Sequence, residues 1–266
     1  MLPRPSGIVV LLTDFGSRDP YVGLMKGMAL RAYPKAQIVD LTHDVEPQDV
    51  ALGAFFLRVA AGRFPGGTVF VGVVDPGVGT ERRALCALAH DSYWLAPDNG
   101  VLSEVLDGAQ PGIQPGIQPG GHPQEVRQLD LQHLRLSPAS RTFHGRDVFA
   151  PVAGALAGAR FGFSSVGPRC LDPVRGKPLT TGTPRVVHVD SFGNLVTNVP
   201  ATAIATVRSV RIGDRSMPVR GTYADAAPGA LVCLINSYDL LEIAENQGSA
   251  AATLGCGRGA AVVLES

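Results

Sequence analysis

The chain has 266 residues, 45% of them hydrophobic and 17% charged, and its 23 basic side chains are balanced by 23 acidic ones. That composition is globular and the length is ample for a core, which excludes wholesale disorder and a disulfide-stapled miniprotein. Charge balance without a long basic stripe leaves no electrostatic footprint for nucleic acid or an anionic membrane, so neither is expected as a partner.

Residues 8–12, Ile-Val-Val-Leu-Leu, are long enough for a buried strand and too short for a helix. Asp19 followed by Pro20 has the form of an N-cap and first helical position, and predicts a helix over 21–32 with apolar residues at 21, 22, 24, 25, 28 and 29. A second strand fits 37–41, a second helix 48–61 and a third strand 68–74. This order predicts a mostly parallel sheet with helices on both faces. Residues 110–124 carry a tandem Pro-Gly-Ile-Gln repeat with almost nothing to bury, which reads as a surface loop. The run 148–160 reads as a helix capped by Asp147, with Pro151 tolerated in its first turn.

The stretch 167–183 is rich in glycine, proline and threonine and lacks periodicity, dividing an α/β domain (1–175) from a β-domain (184–266). In the latter, short β-branched runs at 185–189, 195–199, 207–212, 231–235 and 260–264 predict a small antiparallel barrel or sandwich. Cys86, Cys170, Cys233 and Cys256 form no C-x-x-C pair and read as small core hydrophobes. The longest apolar stretch, 148–159, contains a proline and is too short to span a bilayer; a cytoplasmic protein without a leader is the expectation.

Ligands of open parallel sheets collect beyond the carboxyl ends of the strands, which singles out Thr13-Asp14, Thr42-His43-Asp44 and Asp75. Asp14 can accept two hydrogen bonds from a ribose diol, or merely cap a turn. In Asp75-Pro-Gly-Val-Gly-Thr-Glu-Arg82-Arg83, proline and glycine force a tight excursion across whose neck Asp75 and Arg82 can pair. The bland alternative is a surface ion pair worth under about 1 kcal/mol; a phosphate cradle lacks the lysine that should follow. His144, at a helix start, can take or orient a proton near neutral pH. With no H-E-x-x-H spacing, a metal site would have to be assembled from distant residues such as His43, Asp44 and His144. Asp190-Ser-Phe192-Gly-Asn194 offers a carboxylate, an aromatic face and an amide suited to a base, or is simply a turn; Asn236-Ser237-Tyr238 is a second polar stretch after a strand.

In this order, T-D-F-G at 13, Y-V-G-L-M-K-G at 21, D-P-G-V-G-T-E-R-R at 75, P-D-N-G at 97, T-F-H-G-R-D at 142, D-S-F-G-N at 190 and N-S-Y at 236 resemble one family. It is that of the SAM hydroxide adenosyltransferases, the adenosine-forming S-adenosyl-L-methionine hydrolases related to fluorinase and chlorinase. The resemblance implies an N-terminal Rossmann-like α/β domain with a mostly parallel sheet and a C-terminal antiparallel β-barrel-like domain. It also implies a homotrimer, with substrate between one subunit's first domain and its neighbour's second. The implied reaction is hydrolysis of SAM to adenosine and L-methionine by water or hydroxide at the ribose 5′ carbon, with no cofactor and no metal.

Carried onto this sequence, the family pattern puts Asp75, Arg82 and His144 around the water and Asp14 on the ribose hydroxyls. Asp190 falls on the methionine amino group and Phe192 and Asn194 around adenine. Ser237 and Tyr238 border the methionine end or the base, and Glu242 is a further contact. Gly145 stands where the fluorinase carries a serine and where the chlorinase also has glycine; Asp75 should repel an anion, which favours water. The alternatives are a SAM-dependent chlorinase, a non-catalytic adenosine- or SAM-binding protein, and a metal-dependent phosphohydrolase built on His43, Asp44, His144 and Asp147.

Overall fold

The structure is a computed structural model that describes residues 2–107 and 124–266. Nearly all of the Pro-Gly-Ile-Gln stretch expected as a loop lies outside the described residues. Contacts divide the chain into a first unit, up to Pro178, and a second, Leu179–Ser266.

The first unit opens β1 (Ile8–Thr13), α1 (Tyr21–Ala32), β2 (Gln37–Thr42), α2 (Val50–Ala60), β3 (Val69–Val73), the β-α-β-α-β order expected from periodicity. Strand β1 lies between β2 and β3, parallel to both. Two helix starts differ from expectation. Helix α1 begins at Tyr21 with Pro20 as its N-cap and no side-chain cap, so Asp19 does not serve. Helix α2 begins at 50, because Gln48 takes a left-handed φ of 67° and Asp49 caps instead, accepting from Leu52 N at 2.9 Å.

Three further strands complete this sheet, none of them expected from periodicity. Strands β4 (Ala84–Ala89) and β5 (Ser92–Pro97) form a hairpin, turned at His90 and Asp91, which both adopt positive φ. Strand β6 (Glu125–Gln128) adds to β4, giving the order β2-β1-β3-β5-β4-β6, with β5 parallel to β3 and with β4 and β6 antiparallel to their neighbours.

Alternation along the strands fills both faces. Val9, Leu11, Val69, Val71 and Val73 share a core with Met25 and Ala29 of α1 and with Val152, Ala153 and Leu156 of α4 (Ala150–Ala157). Against α2, Gly72 leaves room for Leu57, whose Cδ1 would lie 2.7 Å from an added Cβ, and Phe70 stacks on Trp94 at 4.0 Å. A short helix, α3 (Ser103–Leu106), contacts α2. The helix predicted over 148–160 actually starts as a π-helical turn, Gly145–Phe149, with His144 as its N-cap. Asp147 is inside that turn and does not cap it: its carboxylate is taken by Arg146 and by the Ser140 amide.

The second unit contains β7 (Val186–Val189), β8 (Leu195–Pro200), β9 (Ser209–Ile212), β10 (Arg215–Pro218), β11 (Leu231–Ile235), β12 (Leu240–Glu245), α5 (Ala250–Leu254) and β13 (Val263–Glu265). The antiparallel sheets β11-β12-β8-β7 and β10-β9-β13 are stitched by bridges Arg185↔Ala261 and Val219↔Cys233 around a shared core of Val186, Leu195, Val210, Met217 and Ile243. The expected antiparallel β-unit therefore forms, as two sheets, with β10 as a strand that periodicity did not reveal. Cys86, Cys170 and Cys233 are buried, Cys256 is partly so, and all four are free. Among the described residues, no helix is long and apolar enough to cross a membrane.

Helix α4 meets α1 at Gly154, where an added Cβ would fall 2.2 Å from the Ala29 carbonyl oxygen. Backbone cannot yield as a side chain can. Gly154→Ala should therefore destabilise the protein by about 2 kcal/mol, an overpacking cost exceeding the helix-propensity gain of about 1 kcal/mol, measurable by urea unfolding.

Candidate active site

Because β1 and β3 are parallel neighbours with Thr13 opposite Val73, Asp14 and Asp75 emerge at the same edge of the sheet. Asp14 is half-buried and its Oδ2 accepts the Gln48 amide at 2.8 Å; no other bond to its carboxylate forms among the described residues. The excursion after β3 is closed by local bonds, Val78 N to Asp75 O and Thr80 Oγ1 to Gly77 O, and Gly79 turns at φ 83°. Its base is pinned by the P-D-N-G segment: Asn99 Nδ2 donates to Val74 O at 2.8 Å, and Asp98 receives Arg83 Nε at 2.6 Å.

Across this neck Asp75 and Arg82 meet as the sequence suggested, but not as a surface pair. Arg82 Nε donates to Oδ1 and Oδ2 of Asp75 at 3.0 and 3.1 Å, and Nη2 donates to Oδ2 as well. The two side chains are only 9% and 4% exposed, so the pair is a shielded, charge-assisted fork. The guanidinium lies 5.7 Å from the Phe149 ring, and its Nη2 is 2.9 Å from His144 Nδ1. Arginine only donates, so Nδ1 is the acceptor and the neutral ring carries its proton on Nε2. Burial, and then the Arg82 charge, push the His144 pKa below the ordinary histidine value, against the opposing pull of Asp75 and Asp147.

Gly145 is buried beside His144. An added Cβ would stand 3.1 Å from Met25 Sδ, 3.3 Å from Phe143 and 3.4 Å from Phe15, so a side chain here requires its neighbours to move. Phe15, Tyr21 and Phe143 pack edge-to-face around this point, with centroids 5.3 to 5.9 Å apart. Sequence reasoning passed over these three rings because each looks like ordinary core.

In the second unit, Asp190, Phe192, Asn194, Ser237, Tyr238 and Glu242 all line one cleft of about 420 Å³. Asp190 also does what a turn aspartate does, accepting from the amides of Phe192 and Asn194 at 2.9 Å and from Asn194 Nδ2 at 3.0 Å. Gly193 has φ 84°, and a Cβ there would strike Ser249 Oγ at 2.0 Å. D-S-F-G-N is thus a turn, and that turn forms one wall of the cleft. Phe192 is 76% exposed, an apolar ring presented to solvent.

Glu242 is buried in the same cleft, its oxygens bonded by Tyr223 Oη at 2.6 Å and Asn236 Nδ2 at 3.1 Å. Burial and this carboxylate push the Tyr223 phenol well up, so it stays a hydrogen-bond donor. Sequence reasoning missed Tyr223, which stands in a 3₁₀ turn and carries no motif of its own.

The residues of the phosphohydrolase alternative are otherwise engaged or apart. His43 Nδ1 bonds Thr13, its Nε2 faces Asp40, Asp147 holds Arg146, and Asp44 is exposed. Among the described residues, no group of three or more His, Cys, Asp or Glu side chains is placed to hold a metal ion.

A family model described as the SAM hydroxide adenosyltransferase N-terminal domain matches residues 9–167, and one described as the C-terminal domain matches 184–263. The (R)-S-adenosyl-L-methionine hydrolase of Thermus thermophilus is 38% identical over 264 residues, 96% of this chain and 98% of the relative. A fluorinase from an Actinoplanes species is 27% identical over 285 residues, 90% of this chain and 91% of the relative. The crystal structure of an uncharacterized conserved protein from Thermotoga maritima aligns at a TM-score of 0.84 with 34% identity, over 97% of this chain and all of the other.

The charges around His144 make a signed prediction for its titration followed by NMR. The imidazole should titrate below about 6.5, Arg82→Leu should raise that value and Asp75→Asn should lower it further. A His144 titration unmoved by both substitutions would contradict this contact.

Proposed function

Because the chain belongs to the SAM hydroxide adenosyltransferase family, we propose that it hydrolyses S-adenosyl-L-methionine to adenosine and L-methionine. The observation that carries this reading on the chain's own residues is the shielded Asp75–Arg82–His144 contact, a cation that can hold hydroxide beside a ring that can take a proton. Asp14 would hold the ribose hydroxyls. The cleft set of Asp190, Phe192, Asn194, Ser237, Tyr238 and Glu242 would take adenine and the methionine end, with Gly145 against the nucleoside. The homotrimer implied by the resemblance would bring the two residue sets together from neighbouring subunits, and light scattering would give its mass.

The sulfonium is already a good leaving group, because its departure as neutral methionine neutralises a charge. Acid assistance is not needed there, so the work falls on the water. In this mechanism water replaces the direct contact between Arg82 and His144: its oxygen accepts from Nη2 and one O–H donates to Nδ1. As the C5′–O bond forms and the C5′–S bond breaks with its electron pair passing to sulfur, the water proton goes to His144 and then to solvent. Arg82 cannot be the base, since it does not lose its proton; it stabilises the developing hydroxide, and Asp75 holds it in register. Exclusion of bulk water strengthens both effects.

The test is incubation with SAM in halide-free buffer containing EDTA and oxygen-labelled water. Equal adenosine and methionine are expected, with the label on the ribose 5′ oxygen. His144→Asn should lower kcat by about 10²-fold or more, and Arg82→Leu by about 10²- to 10³-fold. The base must be unprotonated, so kcat/KM should fall as pH drops through the lowered His144 value, below about 6.5, and His144→Asn should lose that limb. Absence of product would point to a binding protein, product only with chloride to a chlorinase, and loss of activity with EDTA to a metal-dependent hydrolase.

A further inference from the structure

A polar network behind the turn after β1, buried at Thr13 and His43, takes no part in the proton transfer at His144. We propose that His43 is a positioning residue, which acts through the Thr13 hydroxyl to fix the turn that presents Asp14 to the ribose hydroxyls. The proposal rests on the reading of Asp14 as the ribose contact.

The Phe15 amide donates to Thr13 Oγ1 at 3.2 Å, and Thr13 Oγ1 lies 2.9 Å from His43 Nδ1. A hydroxyl has one hydrogen to give. Among the described residues Thr13 Oγ1 has no other acceptor for it, and Nε2 faces the acceptor-only Asp40 carboxylate, so the hydroxyl donates to Nδ1 and the ring proton lies on Nε2. Nε2 lies 3.0 Å from Asp40 Oδ1, close enough for electrostatic attraction although it makes no aligned hydrogen bond, and Asp40 is anchored by Lys26 Nζ at 2.6 Å. Hydrogen bonds thus join His43, Thr13 and the Phe15 amide, while Asp40, held by Lys26, faces the far side of the His43 ring.

The main chain closes the same loop. Gly16 N donates to His43 O at 2.8 Å and Val45 N to Thr13 O at 3.4 Å, so Asp14 is flanked on both sides by residues tied to the 43–45 segment. Thr13 is fully buried and His43 only 8% exposed, so a lost bond between them is not cheaply replaced by water. A carboxylate that must meet two vicinal hydroxyls is sensitive to small displacements of its turn, which appear as lost affinity for the diol.

The test compares adenosine with 2′,3′-dideoxyadenosine by calorimetry on the full chain, together with SAM kinetics. The wild type should prefer adenosine, and Asp14→Asn should abolish that preference. His43→Leu and Thr13→Val should each weaken adenosine binding about tenfold, the loss of one net hydrogen bond, and leave dideoxyadenosine within about twofold. KM for SAM should rise by about the same factor with kcat changed less than about threefold. Thr13→Ser, which keeps the hydroxyl, and His43→Asn, which keeps an acceptor, should recover most of the preference. Should His43→Leu fail to fold, Thr13→Val interrogates the same bond.

If Asp14→Asn removes the preference while His43→Leu and Thr13→Val keep it, the proposal is overturned and the ribose reading stands. Equal weakening of both ligands in those variants would mean a merely structural role and would also overturn it. If the wild type shows no preference for adenosine, or Asp14→Asn retains it, the ribose reading itself fails and the proposal with it.

Discussion

The structure around the candidate site turns on the shielded pair of Asp75 and Arg82. Taking a carboxylate and a guanidinium out of water costs several kcal/mol per ion unless the geometry is close to ideal. Here the fork is doubly engaged and the excursion between the two residues is tied by its own backbone and by Asn99 and Asp98. Arg82 is thereby held where it meets His144, 62 residues further along the chain. Removing one partner would strand the other charge, so this pair constrains β3, the hairpin after it and the π-helical turn together.

The same constraint bears on the irregular turn that carries His144. The π-helical stretch from 145 to 149 is followed directly by α4, which is pressed backbone-to-backbone onto α1 at Gly154. His144 is therefore set at the head of a helix whose position is fixed by close packing. Gly145, against Met25, Phe15 and Phe143, leaves no spare volume beside it. Precision at the histidine comes from the surrounding core, because its own single hydrogen bond would not supply it.

In the second unit the corresponding constraint is Glu242. A buried carboxylate needs donors, and Tyr223 and Asn236 provide them from two different connections. Asn236 in turn caps the amides of Tyr238 and Leu240, so the polar cleft wall and the β11–β12 turn share one set of bonds. Asp190 plays the matching role in the turn between β7 and β8. Cleft residues that also stabilise their own turns are pre-organised, which lowers the ordering cost of binding.

Local pattern was enough for the alternating first half, because an apolar run of five or six residues and an amphipathic stretch each state their own structure. The order of motifs was enough to identify the family and nominate Asp75, Arg82 and His144. Sequence did not disclose β4 and β5, because the alanine-rich run of β4 and the short mixed run of β5 lack a clear period and become strands only by pairing with β3 and with each other. Nor did it foresee the π-helical start at 145, since Asp147 has the form of a cap until Arg146 and Ser140 claim it. Tyr223 and the Thr13–His43 bond were invisible for the same reason: a hydrogen bond between residues 19 or 30 positions apart leaves no mark on the spacing. What the sequence determined by itself was therefore the set of elements with local periodicity and the identity of the chemical groups. Which groups share a proton, a charge or a cleft was decided only by tertiary structure, because burial and distance set those interactions and neither is a property of neighbouring residues.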